Sequence, residues 1–194
     1  MNGDVTDTSN GRDDYWIVKL EVNGNVEWNN LLGGSGGDEA YSIQQTSDGG
    51  YIVAGTSSSS LSGDVTDTSN GGDDYWIVKL DVNGNVEWNN LFGGNGMDEA
   101  NSIHQTTDGG YIVAGSSSSS LSGDFTDTSN GGDDYWIVKL DVNGNVEWNN
   151  LLGGSGGDEA YSVQQTSDGG YIVTGTSSSS LSGDVTDPSN GDYD

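Results

Sequence analysis

Cysteine is absent from this 194-residue sequence. Disulfides, thiolate metal sites and thiol nucleophiles are therefore excluded. Proline and histidine occur once each. The one histidine, His104, has glutamine at its equivalent positions, Gln44 and Gln164. That exchange points to a polar lining residue and leaves no histidine-based triad to assemble. Lysine and arginine together number four against 31 acidic residues, a formal net charge of −27. A chain this negative repels phosphate backbones and anionic lipid, which argues against nucleic acid and membrane surfaces as partners. Divalent cations are the partner it tolerates best. No apolar run approaches membrane-spanning length, so insertion into a membrane is not expected. The opening MNGDVTDTSN has neither the basic nor the apolar region of a signal peptide.

Low hydrophobicity with high net charge is the composition of disorder. Six Trp and nine Tyr at regular positions argue otherwise. They mark a repeat: Trp16, Trp76 and Trp136 are equivalent, as are Asp4, Asp64, Asp124 and Asp184, at a period of 60 residues without insertions. Three units fill residues 3–62, 63–122 and 123–182, and a fragment of a fourth covers 183–194. The expectation is a piece of a longer repeat protein, since the sequence starts and stops inside a unit. Near-identity between the units suggests recent duplication, so it carries little information about function.

Within a unit the punctuation predicts four short strands and no helix. YWIVKLDV is β-branched and aromatic, NG is a hairpin turn signal, and NVEWNNLF is the return strand. After a glycine-rich break, NSIHQTTDGGYIVAGSS reads as a second hairpin turning at TDGG. In residues 75–80, Trp76, Val78 and Leu80 share one face while Tyr75, Ile77 and Lys79 share the other. Apolar groups on both faces suit a sheet packed between two neighbours. Four-stranded units repeated radially and packed face to face describe an all-β propeller with 60-residue blades. A β-solenoid is the other architecture considered, but its coils are usually much shorter.

The unit DDYWIVKLDVNGNVEWNN followed by GGSGGDEAYSIQQTSDGGYIVAGTSSSS resembles the prokaryotic surface-protein β-propeller repeats, with their pattern DxWxVKxDxxGNxxW…GGxxxDxAxSIxxTxDGGYxxAG. The resemblance runs through all three copies. LDVNGNVEW, from Leu80 to Trp88, is also similar to the Asp-box hairpin, although Leu80 stands where that motif has Ser. The resemblance implies an extracellular or cell-surface location and a strand order. DEAYSIQQT is innermost, GGYIVAGTS second, DDYWIVKLDV third and NVEWNNLL outermost. On that order the chain opens with the outer half of a blade and closes with the inner half of another. Three blades cannot close a ring, and open edges invite pairing. A six-bladed homodimer follows, with residues 14–32 completing a blade on residues 158–176 of a second copy. A nine-bladed trimer and a longer parent chain are the other solutions.

Several clusters are candidate sites. GDVTDTSNGGDD, in the linker between second and third strands, offers Asp64, Asp67, Ser69, Asn70, Asp73 and Asp74, with Asp124, Asp127, Asn130, Asp133 and Asp134 in the next copy. These residues carry enough oxygens for Ca²⁺, although EF-hand spacing fails. The competing reading is a solvated, turn-rich connector. Arg12 replaces the Gly of the other copies, so the first loop should bind a cation less well. GGSGGDEAY matches a calcium β-roll nonapeptide only once per unit, and a roll needs tandem turns; a tight crossing between blades is the expected role. Asp38–Glu39 could in principle act as a glycosidase pair, but its recurrence in every copy would imply several identical active sites. Sialidase chemistry needs several arginines, and only Arg12 exists. The sequence thus favours a non-enzymatic structural or adhesion scaffold, with a multivalent carbohydrate-binding propeller as the alternative. In the latter, Trp16, Trp28 and Tyr15 with their equivalents would stack sugars instead of packing the core.

Overall fold

The computed structural model describes residues 7–189. Positions 3–6 of the first repeat and 190–194 of the terminal fragment lie outside the described residues. Within them the chain forms twelve strands and no helix: β1 (Tyr15–Leu20), β2 (Val26–Leu32), β3 (Asp38–Gln45), β4 (Tyr51–Ser57), β5 (Asp74–Leu80), β6 (Val86–Phe92), β7 (Asp98–Gln105), β8 (Tyr111–Ser117), β9 (Asp134–Leu140), β10 (Val146–Leu152), β11 (Asp158–Gln165) and β12 (Tyr171–Ser177). They assemble into two four-stranded antiparallel sheets, β3-β4-β5-β6 and β7-β8-β9-β10, flanked by two-stranded β1-β2 and β11-β12. The strand order within each four-stranded sheet is the one the resemblance implied. So is the position of the long connector, which joins β4 to β5.

The hairpins form for local reasons. After β5, the Asp81 carbonyl accepts from Gly84 N at 3.1 Å, and the Asp81 carboxylate accepts from Asn83 N at 2.8 Å and Asn85 N at 2.9 Å. Gly84 completes the turn at φ 85°, a conformation that a side chain resists. In the first repeat Glu21 stands at the Asp81 position, and Asn23 Oδ1 takes over the bond to Asn25 N at 3.0 Å. The turn after β7 is fastened similarly, with the Asp108 carboxylate accepting from Gly110 N at 2.9 Å and from the Thr106 hydroxyl.

The alternation along β5 has the consequence expected of it. Trp76, Val78 and Leu80 face back onto Tyr15, Ile17 and Leu32 of the preceding half-sheet. Tyr75 and Ile77 face forward onto Trp136, Val138 and Leu140 of the next sheet. A smaller third core joins Ile112, Ala114 and Ile137 to Ala160 and Val163. Lys79 lies on the forward face, only 4% exposed as a side chain, because Asp48 at 3.0 Å and Glu87 at 2.8 Å meet its ammonium at the rim. Successive sheets touch through their inner strands, β3 and β4 against β7, then β7 and β8 against β11.

Candidate functional site

The aspartate-rich connectors are tied into the joints between sheets. Asp64 Oδ2 accepts from Gly33 N at 3.1 Å and from Asn10 Nδ2 at 3.2 Å, 31 and 54 residues back along the chain. Asp124 does the same one repeat on, accepting from Gly93 N at 2.9 Å. Asp67 Oδ2 accepts from Leu91 N at 3.1 Å, which fixes the connector to the outer strand β6. The Asp127 carbonyl accepts from Leu121 N at 3.1 Å. Asn70 donates its backbone N to Asp74 Oδ2 at 2.9 Å and its amide to Gly93 O at 3.3 Å; Asn130 repeats both bonds with Asp134 at 2.7 Å and Gly153 at 3.3 Å. The carbonyls of Asp73 and Asp133 accept from Asp98 N at 2.7 Å and Asp158 N at 2.6 Å.

The connector residues therefore part company. Asp64 goes to the Gly33 crossing, whereas Asn70 and Asp74 go to the Gly93 crossing, where Asp124 of the following connector joins them. Asp67 turns to β6, and Asp73 lines a polar concavity with Arg12, Asp13, Glu39 and Glu99. Among the described residues no group of three or more His, Cys, Asp or Glu side chains is placed to hold a metal ion. What the carboxylates do in this geometry is accept from backbone N–H groups that the glycine crossings would otherwise leave unpaired.

The residue that sequence reasoning undervalued is Asp98, with its equivalents Asp38 and Asp158. Asp98 is fully buried at the start of β7. It accepts from Gly94 N at 2.8 Å, from Ser119 Oγ at 3.1 Å, and from Ser117 Oγ. Burial raises its carboxyl to about 6, the hydrogen bonds from Ser117, Gly94 and Ser119 working against that rise and the Asp74 charge adding to it. Asp74 is itself raised, chiefly by burial. Its Oδ1 has no hydrogen-bond partner, and neither do the equivalent atoms of Asp14 and Asp134. The sequence signal was the spaced pair Ser117 and Ser119, which reads as loop composition until the fold turns both hydroxyls onto one carboxylate.

Other candidates resolve by position. Asp38 is buried while its neighbour Glu39 is exposed on the opposite face of β3, so the two do not form a facing carboxylate pair. Glu99 lies in the same acidic concavity as Glu39, and burial, followed by the charge of Asp73, raises its carboxyl. His104 lines a shallow recess with Gln105, Thr107, Gln164 and Gln165, consistent with polar lining. Trp76 and Trp136 are fully buried. Trp28 and Trp88 are half-buried edge-on against Tyr51 and Tyr111. Trp16 and Trp148 are exposed, 51% and 37%; Trp16 lies on the end half-sheet β1-β2, and Trp148 on β10, the edge strand of the second four-stranded sheet, against Tyr171. Comparison with known proteins finds no family model and no curated protein that matches the chain.

Proposed function

We propose that this chain is a segment of a β-propeller, a non-enzymatic module that serves as a structural or adhesion scaffold and completes its ring by pairing with a second copy. The observation that carries this reading is the pair of half-sheets at the ends. The first, β1-β2, corresponds to the outer two strands of a complete sheet, and the last, β11-β12, to the inner two. Each is the half that the other lacks. Successive sheets also touch mainly through β3, β4, β7, β8 and β11 and little through β6 and β10, which supports an arrangement fanned about an axis beside the inner strands. Two copies give six complete four-stranded blades and leave no half-sheet unpaired.

A scaffold also agrees with how the chemistry-bearing groups are used. The connector aspartates brace glycine crossings, and the fully buried tryptophans fill joints between sheets. The carbohydrate-binding alternative needs exposed aromatic platforms repeated in every blade, and the internal copies of Trp16 offer none. An extracellular or cell-surface setting rests on the resemblance to the surface-protein repeats. The test is molar mass by light scattering on a sizing column, in calcium and again in chelator. Two chains in both buffers support the ring without an ion. Two chains in calcium that separate in chelator would make the connectors metal sites that hold it. A single chain of 20.2 kDa in both would overturn the ring.

A further inference from the structure

Two joints inside the chain are built alike, and the chain ends expose the separated halves of a third. At the internal joints, Tyr15 and Tyr75 donate their hydroxyls to the carbonyls of Trp76 and Trp136, both at 3.0 Å. Within each complete sheet, Lys79 and Lys139 on the third strand reach the turn between the first two, at Asp48 (3.0 Å) and Asp108 (3.1 Å). Asn30 and Asn90 donate to the carbonyls of Gly84 and Gly144 on the following hairpin. Shifting each pair by one more repeat leaves Tyr135, Asp168 and Asn150 at one end, and Trp16, Lys19 and Gly24 at the other.

We infer that a second copy docks head to tail through a joint of this same design. Trp16 of one copy enters the cavity at Tyr135, Tyr171 and Val185 of the other, and β1 pairs with the other copy's β12. This rests on the ring reading above and names its contact surface. The cavity measures about 420 Å³. Its internal equivalent is filled: Tyr75 and Phe125, which correspond to Tyr135 and Val185, hold the Trp136 ring at 4.4 and 4.1 Å. The register of β4 on β5, Tyr51 opposite Leu80 through Ser57 opposite Asp74, is repeated by β8 on β9. Carried forward, it sets Tyr171 opposite Leu20 and Gly175 opposite Trp16 of the second copy.

Exposure separates the ends from the middle. Trp16, Leu20, Ile43 and Ile172 are 51%, 56%, 54% and 61% exposed, whereas their internal equivalents Trp76, Leu80, Ile103 and Ile112 are at most 1% exposed. Ile172 and Ile43 belong together, because Ile52 packs with Ile103 in one core and Ile112 with Val163 in another. The charges match as well. Lys19 has Glu27 at 2.8 Å but no partner equivalent to Asp48, and Asp168 has no lysine beside it among the described residues.

The test uses one substitution on each side of the joint, Trp16→Ala on the head and Ile172→Lys on the tail. Each residue is solvent-exposed in the single chain, so circular dichroism of each variant should match the parent. Each variant alone should associate roughly 30-fold more weakly or worse, as expected for losing a central anchor, and run as one chain. Mixed, they should form a two-chain species, since the head of the Ile172→Lys chain and the tail of the Trp16→Ala chain are both native. Should Trp16→Ala not fold, Leu20→Glu is the head substitution. Parent chains that pair while both variants pair equally well would move self-association to another surface and overturn this joint alone. A mixture that stays monomeric would also overturn it, by showing that the two surfaces are not each other's complement. A parent chain that does not pair at all would overturn the ring reading with it.

Discussion

The Tyr75 ring lies 4.4 Å from the Trp136 ring, tilted by 48°, and its hydroxyl donates to the Trp136 carbonyl at 3.0 Å. The two residues are 61 positions apart, one repeat plus one, so a single contact links neighbouring sheets, and it recurs one repeat earlier. Tyr15 and Trp76 make it at 4.5 Å. Tyr75 is completely buried, and burial holds its phenol well above the ordinary value, so the hydroxyl acts as a donor throughout the accessible pH range. Tyr75→Phe keeps the ring and deletes the donor. It should cost about 1–2 kcal/mol of stability with an unchanged urea m-value. A change below about 0.3 kcal/mol would mean that the ring stacking alone holds the joint.

Gly115 sits where the backbone of β7 and the Tyr75 hydroxyl converge on β8. A Cβ there would meet Glu99 O at 1.8 Å and the Tyr75 Oη at 2.7 Å. The first atom is backbone and cannot swing aside. Gly115→Ala should therefore destabilise by about 3 kcal/mol or more, beyond any gain from a less flexible unfolded chain. Chemical denaturation measures it directly. Gly109→Ala gives the contrast, because its Cβ meets nothing within 4 Å and the cost there is confined to the positive φ.

The strands and the two-faced packing were legible in the sequence because each rests on local pattern, whereas their order within a sheet came from the resemblance to the surface-protein repeats. Alternation in 75–80 sorted Trp76 from Tyr75, and glycine–asparagine punctuation set the hairpins. The joints were not legible, because they depend on residues 31 and 61 positions apart meeting in space. Asp64 looked like a ligand beside Asp67 and Asp74, yet the connector carries it to Gly33 in the previous crossing. By sequence Asp38 and Glu39 could make a glycosidase pair, yet Asp38 and its equivalent Asp98 are buried acceptors. Composition cannot tell a carboxylate that awaits a cation from one that already holds backbone N–H groups.

That distinction leads to a prediction for metal removal. Asp124 Oδ2 serves Gly93 N, and Asp74 Oδ2 serves Asn70 N. These bonds draw the carboxylates onto backbone donors, and among the described residues no three acidic side chains are gathered to hold an ion. The melting temperature in calcium and in excess chelator should therefore coincide. A site at a hundredfold excess of calcium over its dissociation constant would add about 2.7 kcal/mol, which is several degrees for a chain of this size. A shift that large would place an ion in the connectors. Asp124→Ala should cost about 1–2 kcal/mol in either buffer, by leaving Gly93 N without its acceptor.

Acid should first strengthen this protein and then weaken it. Asp98 titrates at about 6 in the folded chain and near 4 when unfolded. Between those values the folded state holds more protons than the unfolded state, so stability falls as pH rises through that window and stays lower above it. The effect is at most about 3 kcal/mol. Asp48 and Asp108 act in the opposite sense. Hydrogen bonds from Thr46 and Gly50, then Lys79, hold Asp48 at about 2, and Thr106 and Gly110 lead the same set at Asp108. Their contribution is complete above about pH 4 and is lost as pH falls toward 2. The melting temperature should rise from pH 7 to a maximum between about 4 and 5, then drop. Relief of general repulsion among the acidic residues follows the same direction, so the scan belongs in high salt, where that part is screened. Asp98→Asn should flatten the profile between pH 4 and 6 and leave the acid limb intact. An unchanged slope in that variant would assign the rise to net charge and not to the buried carboxyl.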